Sequence, residues 1–90
     1  MEKMMVKIAE VVVELAAEGF SYTGKRTKGR VLRDETDGTY RIQVDDEVRG
    51  LDRPSSAYQS EADARAALVD YWDQCEQILK AAGAPVWKPH

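Results

Sequence analysis

Between Glu2 and Glu18 the polar positions Lys3, Lys7, Glu10, Glu14 and Glu18 recur at spacings of three and four, leaving Met5, Ile8, Val12 and Leu15 on another face. That period predicts an amphipathic helix over 2–18, closed by Gly19 as its C-cap. Val6, Ala9 and Val13 add a second apolar row beside the first, wider than the roughly 100° arc a lone surface helix needs. Such an arc predicts cover from the sheet and another helix, or from a second copy in a homodimer. On the polar row, Glu10, Glu14 and Glu18 stand four apart, where like charges on a helix repel by roughly 0.2–0.5 kcal/mol per pair. Basic residues between Lys25 and Arg33 are expected to relieve that repulsion.

Helical period is lost over 20–53 and turn signals replace it: Gly24, Gly29, Asp37-Gly38, Asp45-Asp46 and Gly50 separate short runs. Tyr40-Arg-Ile-Gln-Val44 alternates apolar and polar residues, as a half-buried strand does. The pattern predicts three strands near 29–34, 39–45 and 47–52. Their connections are too short for crossovers, so the pairing is antiparallel, with hairpin turns at Glu35–Gly38 and Asp45-Asp46.

Ser60-Glu-Ala-Asp63 then reads as a helix start, with Ser60 able to accept from the amide of residue 63. The second helix is predicted from Glu61 to about Ala82, with Leu68, Trp72, Cys75, Leu79 and Ala82 as its core stripe and Tyr71 and Ile78 flanking. Gly83 and Pro85 end it, and Val86-Trp87 is expected to fold back onto apolar surface. The expected fold is α+β, a three-stranded antiparallel sheet with two helices packed on one face, in the order α-β-β-β-α. At 90 residues, one domain over 1–90 is the economical reading.

Apolar residues at 43% exclude a disordered chain, while the apolar stretch around Val11–Ala17 is interrupted by Glu14 and far short of the roughly 20 residues a bilayer requires. The opening Met1-Glu2-Lys3 lacks a signal-peptide pattern, so a cytoplasmic location without membrane contact is expected. Cys75 stands alone and the one histidine is His90, too few soft ligands for a structural zinc site. Gly24-Lys25-Arg26-Thr27 has no upstream phosphate-loop glycine, and Asp34–Gly38 lacks the alternating oxygens of a calcium loop. Neither metal nor cofactor is expected. Titratable groups are dispersed along the chain, which argues against an enzyme.

The formal charge of −3 is unevenly spread. Both ends are acidic, whereas 20–53 holds a basic spine of Lys25, Arg26, Lys28, Arg30 and Arg33. If Tyr40, Ile42 and Val44 face the core, Arg41 and Gln43 face away, and Arg33 and Arg49 are expected beside them. Guanidinium and amide groups on an exposed sheet make bidentate contacts to guanine and adenine edges. The segments Gly38–Val44, the strand of Arg49, and Tyr58–Ala67 with its helix resemble the three-strand-plus-helix layout of AP2-type and integrase arm-type DNA-binding domains. That resemblance implies DNA binding through Lys25, Arg26, Lys28, Arg30, Arg33, Arg41, Gln43 and Arg49. Asp45, Asp46, Glu47 and Asp52, set among these residues, weaken the phosphate attraction such binding uses.

The outer face of the second helix carries Asp63, Asp70, Asp73, Gln74 and Gln77, a stripe able to steer onto a basic protein surface, with Ala66 and Ala67 leaving backbone approachable. The segment Glu61–Cys75 following a small strand region is similar to the C-terminal helix of some phage anti-CRISPR proteins. This resemblance implies a non-catalytic inhibitor that blocks a host nucleic-acid-handling complex such as a CRISPR effector, with Arg41 and Arg49 adding contacts to those of the helix stripe. Sheet-mediated DNA binding is the alternative.

Overall fold

The computed structural model describes residues 8–54, 56–84 and 86–88 and consists of three strands followed by one helix. Strand β1 spans Ala9–Ala17, β2 Thr27–Asp34, β3 Tyr40–Val44, and helix α1 Glu61–Ala82. The sheet is antiparallel throughout, in spatial order β1-β2-β3. The architecture is therefore α+β with a three-stranded antiparallel sheet, and the order is β-β-β-α where α-β-β-β-α was expected.

The first predicted helix is the correction. Its segment from Ala9 to Ala17 is an edge strand paired with β2, while Glu2–Lys7, Pro85 and His90 lie outside the described residues. A spacing of four places charges on one helix face, and it also satisfies the two-residue alternation of a strand. What separates the two readings is the β-branched run Val11-Val12-Val13, which packs well on a pleated surface and loses rotamer freedom in a helix. A bulge between Val11 and Val13 shifts the register, so Glu10 and Glu14 emerge on opposite faces of the sheet.

Glu35–Gly38 forms the turn between β2 and β3, as predicted. Asp34 N donates to Thr39 O at 2.8 Å and Gly38 N to Asp34 O at 2.9 Å. Asp34 Oδ1 accepts from Thr36 N, and Asp37 Oδ1 accepts from both Thr39 N and Thr39 Oγ1. Gly38 sits at φ 73°, where a side chain would meet its own backbone.

No strand follows over 47–52. Asp45 and Asp46 are drawn back toward β2, the first by Arg30 Nη1 at 2.8 Å and the second by the hydroxyl of Thr27, so the chain turns away at the sheet end. The outer edge of β3 pairs instead with Tyr58, which exchanges two backbone hydrogen bonds with Tyr40 at 2.9 and 2.7 Å. Val48 forms an isolated bridge with Trp87, and Phe20 meets Trp87 edge-on at 5.2 Å, so Val86-Trp87 does fold back.

Helix α1 occupies the predicted bounds. The Ser60 hydroxyl accepts from Asp63 N at 3.1 Å, and Gly83 N closes the C-terminus on Leu79 O. Leu68, Tyr71, Trp72, Cys75 and Leu79 are buried as expected, joined by Ala64, whereas Ala82 is exposed. They pack on Val31, Ile42 and Val44 of the sheet, with Val48 and Phe20 completing the core. At Gly29 the two layers approach closely. A Cβ there would lie 2.8 Å from Leu68 Cδ1 and 3.2 Å from the Gln43 carbonyl. The loop after β1 is tied to α1 by Ser21, whose amide and hydroxyl both donate to the Glu76 carboxylate at 2.8 Å.

Candidate binding surfaces

With α1 packed against one face, the sheet's two sides differ in chemistry. Strand parity places Gly29, Val31, Ile42 and Val44 toward the helix, and Lys28, Arg30, Leu32, Arg41 and Gln43 on the opposite face. Arg41 and Gln43 thus sit where alternation puts them, with Arg30 directly across from Gln43. Arg33 does not join them: it is in register with Tyr40, on the helix side. Arg49 is exposed in the turn after Val48, because the strand expected to carry it does not form.

The basic spine is largely neutralised within the fold. Arg30 spans the open face, with Nε 2.9 Å from Glu14 of β1 and Nη1 2.8 Å from Asp45, and it donates to Gln43 Oε1 at 3.4 Å. Arg33 pairs with Glu10 at 3.3 Å and Glu35 at 3.1 Å; Arg26 lies 3.8 Å from Glu18, and Lys25 lies 3.4 Å from Asp46. Hydrogen bonding to Asp45, with its charge and that of Glu14, holds the Arg30 guanidinium proton more tightly than usual, and Arg30 in turn lowers the Asp45 carboxyl. Glu14 and Glu10 of β1 therefore pair across strands with Arg30 and Arg33, and the repulsion expected between them along a helix does not arise because they lie on opposite faces of the sheet.

The second surface is the outer side of α1. Asp63, Asp70, Asp73, Gln74 and Gln77 are all exposed. Gln74 Nε2 donates to Asp70 at 2.7 Å and Gln77 Nε2 to Asp73 at 3.1 Å, a row of i, i+4 bonds that orders the carboxylates without cancelling their charge. Among the described residues, no lysine or arginine forms an ion pair with Asp63, Asp70 or Asp73. Next to this row, Ala62, Ala66 and Val69 form an apolar strip, bounded by Arg65, Asp70 and Asp73, in a shallow depression; Val69 is 53% exposed. Ala66 belongs to this surface, whereas Ala67 is partly buried. The sequence reading missed Ala62, Arg65 and Val69. A helical wheel holds the signal, since Val69 is seven residues from Ala62 and three from Ala66, off the stripe of Leu68, Trp72 and Cys75.

Asp70 and Asp73 lie on the helix, which covers one face of the sheet, and Arg41 lies on the other. The stripe and Arg41 consequently do not make one continuous surface. Cys75 is fully buried, and that burial pushes its thiol up to about 11, away from the nucleophilic thiolate. Among the described residues, no group of three or more His, Cys, Asp or Glu side chains is placed to hold a metal ion, and no helix is long and apolar enough to cross a membrane. No family model, curated protein or solved structure matches the chain.

Proposed function

We propose that this chain is a small, non-catalytic protein-binding module that docks through the outer face of α1. The observation that carries the reading is the exposed apolar strip of Ala62, Ala66 and Val69 beside carboxylates that have no cationic partner among the described residues. An apolar centre supplies area removed from water, and a rim in which Asp70 and Asp73 outweigh Arg65 supplies steering and register. The complementary partner has a basic surface with an apolar centre, a character found where proteins handle nucleic acid. On this reading the protein acts as an inhibitor of phage or mobile-element type, comparable to anti-CRISPR proteins, and occupies a host complex's cationic surface with Asp63, Asp70 and Asp73. Charge reversal tests it. Asp70→Lys with Asp73→Lys leaves the fold intact and abolishes a cross-linked contact between α1 and its partner, whereas unchanged cross-linking would reduce the stripe to solvated surface.

A second reading, DNA binding across the open sheet, draws on the β-β-β-α layout and the Lys28, Arg30, Arg41 and Gln43 set on the face without a helix. Its test is a duplex titration across salt concentrations, because phosphate contacts make affinity fall steeply with salt. Saturable binding lost in Arg41→Ala would favour this reading over helix docking.

A further inference from the structure

We propose that a depression on the open sheet face, between Arg41 and Arg53, is a binding site for the phosphate group of a small ligand. Leu32, Arg41, Ile42, Gln43 and Arg53 line it, and its volume is about 310 Å³. Donors outnumber acceptors here. Arg41 Nε is shut off from water and has no hydrogen-bond partner, and the closest carboxylate, Asp34, stands 4.0 Å from Nη2, beyond hydrogen-bonding reach. Asp34 accepts from Thr36 N through Oδ1, and its other oxygen, Oδ2, is the one that faces Arg41. Arg53 is exposed and, among the described residues, has no ion-pair partner. Gln43 has its oxygen occupied by Arg30, which leaves its amide N–H groups as donors.

The Arg41 side chain is 41% exposed, so a small rotation brings Nε and Nη together onto an oxyanion in the fork geometry that arginine uses for phosphate. A charged donor kept from both water and an acceptor is unfavourable, and the incoming oxyanion removes that cost. Two guanidinium groups against the Asp34 carboxylate, 4.0 Å from Arg41, leave a net positive charge that draws a dianion more strongly than a monocarboxylate. The remaining volume beside Leu32 accommodates a group attached to the phosphate.

The arginine side-chain Nε–Hε resonances of the intact protein report on the site directly. Titration with inorganic phosphate shifts the Arg41 signal saturably, while chloride and acetate at matched ionic strength do not. Arg53→Gln, with an unchanged amide spectrum, weakens that binding about tenfold or more, as does Arg41→Lys, which keeps the charge and loses Nε. Adenosine monophosphate distinguishes the source: tighter binding than phosphate indicates a phosphate ester using the Leu32 wall, and equal binding indicates free phosphate. A linear shift, an equal response to acetate, or full affinity in Arg53→Gln would overturn the proposal. So would a response to a DNA duplex with none to phosphate or the nucleotide.

Discussion

The open sheet face and the outer face of α1 both carry many charges, yet they present different electrostatics. On the open sheet face Arg30 lies between Glu14 and Asp45, and on the helix side of the same sheet Arg33 lies between Glu10 and Glu35. On the helix, Asp70 and Asp73 receive hydrogen bonds from neutral glutamine amides. A pairing of opposite charges shortens the reach of both, whereas an amide donor leaves a carboxylate its full charge. The lesson is that a count of basic residues does not locate a basic surface; the partners that the fold supplies decide it. Apart from these pairs, the Arg41–Arg53 depression is a place where donors outnumber acceptors.

Because the two faces share one core, the largest expected effect removes both. Leu68 is fully buried between α1 and the sheet, and Leu68→Ala should lower unfolding free energy by ~2–5 kcal/mol in urea titration. A loss under about 1 kcal/mol would mean that the helix and sheet do not depend on one another. Gly29→Ala comes next. The added Cβ meets Leu68, Trp72 and the Gln43 carbonyl, so overpacking should cost ~1–3 kcal/mol by the same assay. A neutral result would show that the layers have room to separate.

Two smaller effects address one region each. Ser60→Ala removes the acceptor for Asp63 N and should cost about 1 kcal/mol, with helix fraying visible as faster amide exchange in 61–64 and an undisturbed sheet. Equal loss of protection in β2 would show that α1 and the sheet open as one unit. The smallest concerns pH. The Ser21 amide and then its hydroxyl hold the Glu76 carboxyl below its ordinary 4.5, and Arg30 holds Asp45 below 3.8. Depressed native values mean that their stabilisation is fully present above those ordinary values and fades as pH falls through the lowered ones. Stability should therefore drop on acidification from about pH 5 downward, and Glu76→Gln should flatten that limb in urea titrations run at successive pH values. An acid limb unchanged by Glu76→Gln would mean that the Ser21 clasp does not form in solution.

Sequence reading located α1 well because several independent local signals coincide there: a cap at Ser60, a helical apolar stripe, and glycine at 83. The Glu35–Gly38 turn was legible for the same reason. β1 was not, since charges four apart satisfy both periods and the deciding run Val11–Val13 was outweighed by the wider pattern. The missing strand over 47–52 depends on contacts that lie far apart in sequence, Arg30 with Asp45 and Thr27 with Asp46, which no local pattern reveals. On the candidate surfaces, the acidic stripe followed from helical spacing alone. The neutralisation of Arg30 and Arg33 depends on the β1–β2 register, which a helical pattern over 2–18 does not contain. Arg53, on an irregular segment, carried no periodic signal at all.

The most direct test of where uncompensated charge resides is a pair of amide chemical-shift titrations on the same labelled protein, one with a short oligolysine peptide and one with a short DNA duplex. The account predicts that oligolysine shifts Asp63, Asp70, Asp73 and their neighbours on α1, and that the duplex produces no saturable change. Saturable shifts at Lys28, Arg30 and Gln43 with the duplex, together with an α1 indifferent to oligolysine, would contradict it.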